Sequence, residues 1–209
     1  MSCRVSIRGL GFAYESGQPV LGEVSLEVEA GERLGVIGPS GAGKSTLMLH
    51  LNGILTPTSG SVHIGDLPVE PSTLDEVRRR VGLVFQDPDD QLFNPTVYED
   101  VAFGPRNMGM TDEEVDRAVR QTLSHLDLEG KEGASSHHLS YGERKRVALA
   151  TVLSMHPQVV AFDEPFSNLH PAMVDQLGEL IRGLDATVIL ISQALLPLTV
   201  VCDRIAVLD

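Results

Sequence analysis

The sequence predicts an α/β fold, a strand-and-helix core interrupted by a helical insertion. Three observations predict it. A short apolar strand runs into a glycine-rich turn and then a helix. A second apolar strand ends in two consecutive acids. Between them lies a long stretch that loses strand character and takes on helical spacing.

The elements follow in order. Residues 4–14 and 21–29 alternate well enough for strands, with a turn near Ser16-Gly17-Gln18-Pro19. Residues 33–37 form a short apolar strand, and a helix over about 43–51 follows the glycine-rich turn. Residues 81–85 read as a buried strand. From about 87 to 154 the chain is mostly helical. Thr111 and Glu114 form a capping box there, and Val115, Val119, Leu123 and Leu126 keep helical spacing after it. Strand signals return over 159–162, 187–191 and 204–208, with a helical segment over 171–184 between the first two.

The chain has 209 residues, enough for one domain with a buried core and a small inserted lobe. Hydrophobic residues make up 42%, which fits a globular protein. The net charge of −13, the absence of Trp and an aromatic content of 4% disfavour a nucleic-acid partner. An acidic protein can still hold a phosphate, because backbone N–H groups, a helix N-terminus and one Lys suffice locally. Cys3 and Cys202 stand at opposite ends without metal or redox spacing, and read as reduced, partly buried thiols. His125, His137 and His138 lack partnering acids or cysteines at ligand spacing and read as surface or interface residues. No stretch approaches the roughly 20 apolar residues of a membrane span, and the N-terminus has no signal-type apolar run. Any membrane role is expected through a partner.

Gly38-Pro39-Ser40-Gly41-Ala42-Gly43-Lys44-Ser45-Thr46 matches the pattern G-x-x-x-x-G-K-[ST]. Glycines let the backbone curl so that successive N–H groups face phosphates. Lys44 can reach the β- and γ-phosphates, and the Ser45 hydroxyl can ligate Mg²⁺. The pattern follows an apolar strand and opens a helix, the context it requires. Val159-Val160-Ala161-Phe162-Asp163-Glu164-Pro165 supplies the second element. Its acids leave a buried strand at the C-terminal end, where open α/β sheets place ligands. Asp163 would hold the Mg²⁺ shell, and Glu164 would orient or deprotonate an attacking water.

With these motifs on one chain, the sequence resembles the ABC ATPases. Leu139-Ser140-Tyr141-Gly142-Glu143 resembles their LSGGQ signature, Gln86 resembles the Q-loop glutamine, and Tyr14 matches the aromatic that stacks on adenine. The resemblance covers nearly the whole chain. It implies a P-loop NTPase core (1–86 and 156–209) with an N-terminal antiparallel β subdomain, and an inserted helical subdomain over 87–155. It also implies a head-to-tail dimer, homodimeric or heterodimeric, with ATP between the P-loop of one subunit and the signature of the other. Ser140 and the Gly142 backbone would then face the γ-phosphate, with Arg144, Lys145 and Arg146 adding positive charge. Ser140 with Glu143 is also an ordinary helix capping box, and both readings can hold together. Ser45, Gln86 and Asp163 would serve Mg²⁺. Glu164, Gln86, Gln193 and Lys44 would serve catalysis. Tyr14, Gly38, Ser40, Gly41, Gly43, Lys44, Ser45 and Thr46 would hold the nucleotide.

A finer resemblance joins Gln86-Asp87-Pro88-Asp89-Asp90-Gln91-Leu92-Phe93 and Thr96-Val97-Tyr98-Glu99-Asp100-Val101-Ala102-Phe103-Gly104-Pro105 to the cobalt/nickel and energy-coupling-factor importer ATPases. It implies a transmembrane coupling protein docking near 87–105, at the cytoplasmic face of a bacterial membrane. Leu92, Phe93 and Val97 are then either docking residues or core of the helical lobe. The sequence departs from the family at Tyr141 for the signature's first glycine, at Glu143 for its Gln, and at His170 for the usual Asp. Gln193 stands for the switch histidine. That histidine contacts the γ-phosphate and helps fix the water. Gln193 donates only a neutral hydrogen bond, so hydrolysis is expected to be slowed rather than absent. Two other readings stand beside the importer ATPase: a nucleotide-gated partner subunit with little turnover, and a non-transport ABC protein. Non-transport members usually carry two cassettes or a long inserted arm, which this sequence lacks.

Overall fold

A computed structural model describes residues 2–14 and 17–209; Ser16, part of the expected first turn, lies outside them. The fold divides into two compact units. One holds residues 1–83 and 158–209, the other residues 84–157.

The first unit carries two sheets. Strands β1 (Val5–Ala13), β2 (Pro19–Val28), β4 (Ser59–Ile64) and β5 (Leu67–Pro68) form an antiparallel sheet of order β2-β1-β4-β5. The other sheet adds β3 (Arg33–Ile37), β6 (Val81–Val84), β7 (Val159–Asp163), β8 (Thr187–Ser192) and β9 (Arg204–Val207) in the order β6-β7-β8-β3-β9. The β7–β8, β8–β3 and β3–β9 pairs are parallel. Every residue of β7 and β8 is buried, as β-branched and aliphatic runs covered on both faces should be. Each of Val159, Val160 and Phe162 contributes roughly 1.5–3 kcal/mol of burial.

Helices α1 (Lys44–His50), α2 (Leu74–Arg80), α6 (Pro171–Arg182) and α7 (Leu195–Val201) also belong to this unit. Helix α6 opens on Pro171, whose fixed φ suits the first helical position. A Cβ on Gly35 would stand 3.1–3.3 Å from Leu198, Cys202 and Ile205, so glycine lets α7 approach β3 closely. Thr187, fully buried, donates its hydroxyl to the Cys3 carbonyl (2.6 Å) and accepts from the Gly31 amide (3.0 Å). Both cysteines are free and half-buried, and burial pushes the Cys202 thiol up to about 12.

The second unit is helical, with α3 (Val97–Asn107), α4 (Asp112–His125) and α5 (Tyr141–Leu153). Thr96 caps α3 by accepting the Glu99 amide, and the Thr111–Glu114 capping box opens α4. Val115, Val119, Leu123 and Leu126 line the core of this unit together with Val147, Leu149 and Val152 of α5. Among the described residues no helix is long and apolar enough to cross a membrane.

Candidate functional site

In the first unit, three strands end level. Ile37 is in register with Ser192, and Asp163 with Ile191. Gly38, Gln193 and Glu164, the residues that follow β3, β8 and β7, therefore leave the sheet at one edge.

The turn after β3 is built around glycine. Gly41 and Gly43 have φ of +84° and +89°, a left-handed region costly for other residues. A Cβ on Gly43 would lie 2.7 Å from Leu21 Cδ2 and 2.9 Å from the Val20 carbonyl, and one on Gly38 would overlap the Leu208 carbonyl. Lys44 opens α1 at only 6% exposure, and its Nζ donates to the carbonyls of Gly38 (2.8 Å) and Pro39 (2.9 Å). Ser40 and Ser45 are exposed beside it. A buried cation held by neutral carbonyls, at a helix N-terminus with left-handed glycines before it, is a donor set suited to a polyanion.

Tyr14 stands next to this turn. Its hydroxyl lies 3.3 Å from Thr46 Oγ1, and its ring meets Phe12 edge-on at 4.9 Å. Phe12 in turn meets His50 at 4.8 Å. His50 is fully buried, with Nδ1 2.7 Å from the Thr46 carbonyl, and burial pushes its pKa below the ordinary imidazole value.

At the neighbouring strand ends, Asp163 is 8% exposed. Glu164 follows with φ of +44°, a conformation that costs a non-glycine residue about 1–3 kcal/mol. Hydrogen bonds hold it there. Its amide donates to the Ile191 carbonyl (2.9 Å), and its carboxylate accepts from Ser192 Oγ (3.0 Å) and the Gln193 main-chain N–H (2.7 Å). The Ala194 amide donates to the same Ser192 hydroxyl (3.1 Å). The contact from residue 193 to Glu164 thus runs from its backbone. Asn168 and His170 are exposed in the following loop.

The other candidates lie in the second unit. Gln86 is exposed just past β6. The neighbouring Phe85 amide donates to Gln91 Oε1 (3.2 Å), and Gln91 Nε2 donates to the Ala148 carbonyl (2.9 Å) and Thr151 Oγ1 (2.7 Å). Gln91 is therefore the anchor of this segment, a part the sequence did not assign to it. At the start of α5, Gly142 is buried and Ser140 exposed. The capping box is complete. Ser140 Oγ accepts the Glu143 amide (3.3 Å), while Glu143 Oε2 accepts from the Ser140 amide and hydroxyl, both at 2.8 Å. Lys131 Nζ stands 3.2 Å from Glu143 Oε1. The bonds from Ser140, then Lys131, hold the Glu143 carboxyl well below the usual range, at about 2. Tyr141 carries Arg144 and Lys145 over its ring at 5.7 and 5.5 Å. Arg144 also pairs with Asp89 (3.2 Å) and Arg146 with Asp127 (3.9 Å), so acids offset part of the positive charge expected from 144–146.

The segment 87–105 separates into two roles. Leu92 and Val97 are buried in this unit, which makes them core and removes them as docking residues. Phe93 and Phe103 are exposed, at 67% and 48%, and pack edge-to-face at 5.1 Å. The buried Asp100 carboxylate fixes the loop beneath them by accepting from the Phe93 and Asn94 amides (3.1 and 2.9 Å) and from Asn94 Nδ2 (3.1 Å). His125, His137 and His138 are exposed, and among the described residues no three His, Cys, Asp or Glu side chains cluster around a metal position.

The family model described as ABC transporter matches residues 21–167. A Streptomyces avermitilis protein carrying the name of an ABC transporter ATP-binding protein is 48% identical over 205 residues, covering 98% of this chain and 78% of that protein. The energy-coupling factor transporter ATP-binding protein EcfA of Methanothermobacter thermautotrophicus is 48% identical over 182 residues, covering 86% of this chain and 58% of that protein. Among solved structures, CbiO1 of Clostridium perfringens, described as part of the ABC transporter complex cbiONQ, superposes with a TM-score of 0.88 at 34% identity. That match covers 98% of this chain and 84% of that one.

Proposed function

The chain belongs to the ABC transporter family, and from that premise we propose that it is the ATP-binding and hydrolysing subunit of a membrane importer of the energy-coupling-factor or cobalt/nickel type. One observation carries the reading. A buried Lys44 in the turn and helix after β3 and a hydrogen-bonded Glu164 after β7 leave the sheet at one edge, on either side of β8, where a phosphate chain and an attacking water would be held.

ATP would lie along the 38–46 turn with Lys44 on its β- and γ-phosphates and Tyr14 against the adenine. Ser45 and Asp163 would hold Mg²⁺, whose chemistry when bound is to neutralise phosphate charge. Glu164 would take the proton of a water as the water oxygen bonds to the γ-phosphorus. The bond from that phosphorus to the β–γ bridging oxygen breaks, and ADP and phosphate leave. Ser140 and the Gly142 backbone would face the γ-phosphate of a second copy or of a related ATPase. The solved CbiO1 is part of a complex with other subunits, and the exposed Phe93–Phe103 pair is the surface we assign to a transmembrane coupling protein, on the cytoplasmic side of a bacterial membrane.

Gln193 and His170 also support a second reading, a nucleotide-gated subunit with little turnover. The deciding experiment is Mg²⁺-ATP hydrolysis by the purified chain against Glu164→Gln. Turnover above that control, slow in isolation and faster with the membrane partner, is expected. Equal rates with intact ATP binding would leave the gated subunit.

A further inference from the structure

We infer that Ser192 is a positioning residue for Glu164, holding its carboxylate together with the Gln193 backbone amide. The inference rests on the proposed hydrolytic role of Glu164.

Ser192 is the last residue of β8, buried to 1% exposure. Its strand is paired on both sides, to β3 and β7, so its backbone position is fixed from two directions. Its hydroxyl accepts the Ala194 amide, which leaves its single hydrogen to point at Glu164 Oε2. Gln193 N–H meets the other carboxylate oxygen. The two donors grip both oxygens of a residue whose left-handed backbone is itself tied to Ile191, the residue before Ser192. Ser192 and the Gln193 main-chain amide thus each hold one oxygen of Glu164, and neither donor belongs to the side chain at position 193.

Ser192→Ala removes one hydrogen bond to a charged group and should lower kcat roughly ten- to a hundredfold. ATP affinity and KM should change little, because the hydroxyl touches no nucleotide in this scheme. Ser192→Thr keeps the hydroxyl and should recover most of the rate. Gln193→Ala should lose less than Ser192→Ala, since the amide remains. The measurements are steady-state Mg²⁺-ATP hydrolysis and equilibrium ATP binding on wild type, the three variants and Glu164→Gln. A Ser192→Ala rate equal to wild type, a fall in ATP affinity as large as the fall in kcat, or a Ser192→Thr variant no better than Ser192→Ala would overturn the inference. Wild type no faster than Glu164→Gln would instead remove the proposed hydrolytic function, and the inference with it.

Discussion

Replacing Ser140 by Ala and, separately, by Gly distinguishes a helix cap from a phosphate ligand. In the structure the Ser140 hydroxyl accepts the Glu143 amide and donates to the Glu143 carboxylate, while the Ser140 amide makes its own bond to that carboxylate. Alanine removes the first two bonds and keeps the third. Loss of an N-cap serine to alanine costs about 1 kcal/mol, and to glycine only a few tenths. For a chain of this size 1 kcal/mol moves the thermal midpoint by roughly 2–4 °C. Neither change empties the folded state, whose stability is roughly 5–15 kcal/mol. Activity should therefore not follow stability. Both variants lack the hydroxyl that would meet the γ-phosphate across the dimer, and both should lose at least about tenfold in ATP hydrolysis. ATP binding at Lys44 should be untouched in both. The assay pairs thermal unfolding with turnover. A glycine variant that keeps wild-type turnover while the alanine variant loses it would mean the residue acts only as a cap.

Two more outcomes can be checked. Burial holds His50 below its ordinary pKa, so the unfolded chain takes up a proton that the native state refuses. Stability from this source is complete above about pH 6.5 and falls as the pH drops below it. The thermal midpoint should decrease from pH 7.5 to 5.5, and His50→Gln should flatten that decrease. The Glu143 contribution acts in another window: it is complete above about pH 4.3 and is lost only as the pH falls toward about 2. Phe93→Ser with Phe103→Ser removes an exposed edge-to-face pair and should cost at most about 1 kcal/mol of stability. The same double variant should release a hydrophobic membrane partner on co-purification, and retention of that partner would place the docking surface elsewhere.

The core strands were readable because each is a short apolar run stopped by a glycine turn or by acids, as in residues 33–37 and 159–162. β4 was not, because only Val62 and Ile64 of its six residues are buried hydrophobics. Its pairing with β1 carries the rest. α2 buries a single residue, Val77, and α7 carries Pro197 in a run that is apolar except for Thr199, so neither shows a helical face in sequence. The capping boxes at Thr111 and Ser140 were local signals and could be seen directly. The Ser192–Glu164 bond was not visible, because two residues 28 apart meet only through the register of β7 and β8. Leu92 and Phe93 are adjacent in sequence, yet one is buried and the other exposed, and spacing alone does not settle that.

The sheet order also governs when the site can come into being as the chain is made. β3, the strand that carries the glycine turn, pairs only with β8 and β9. Both belong to the last stretch of the sequence, while β3 leaves the ribosome near the beginning. Through most of synthesis the residues of β3 have no strand beside them in their own sheet, and the turn after them has no frame. The helical unit, closed by local contacts, can form well before that. Folding of the parallel sheet is thus withheld until the final strands arrive, and a chain cut short before β8 would leave Lys44 with no strand ends to face.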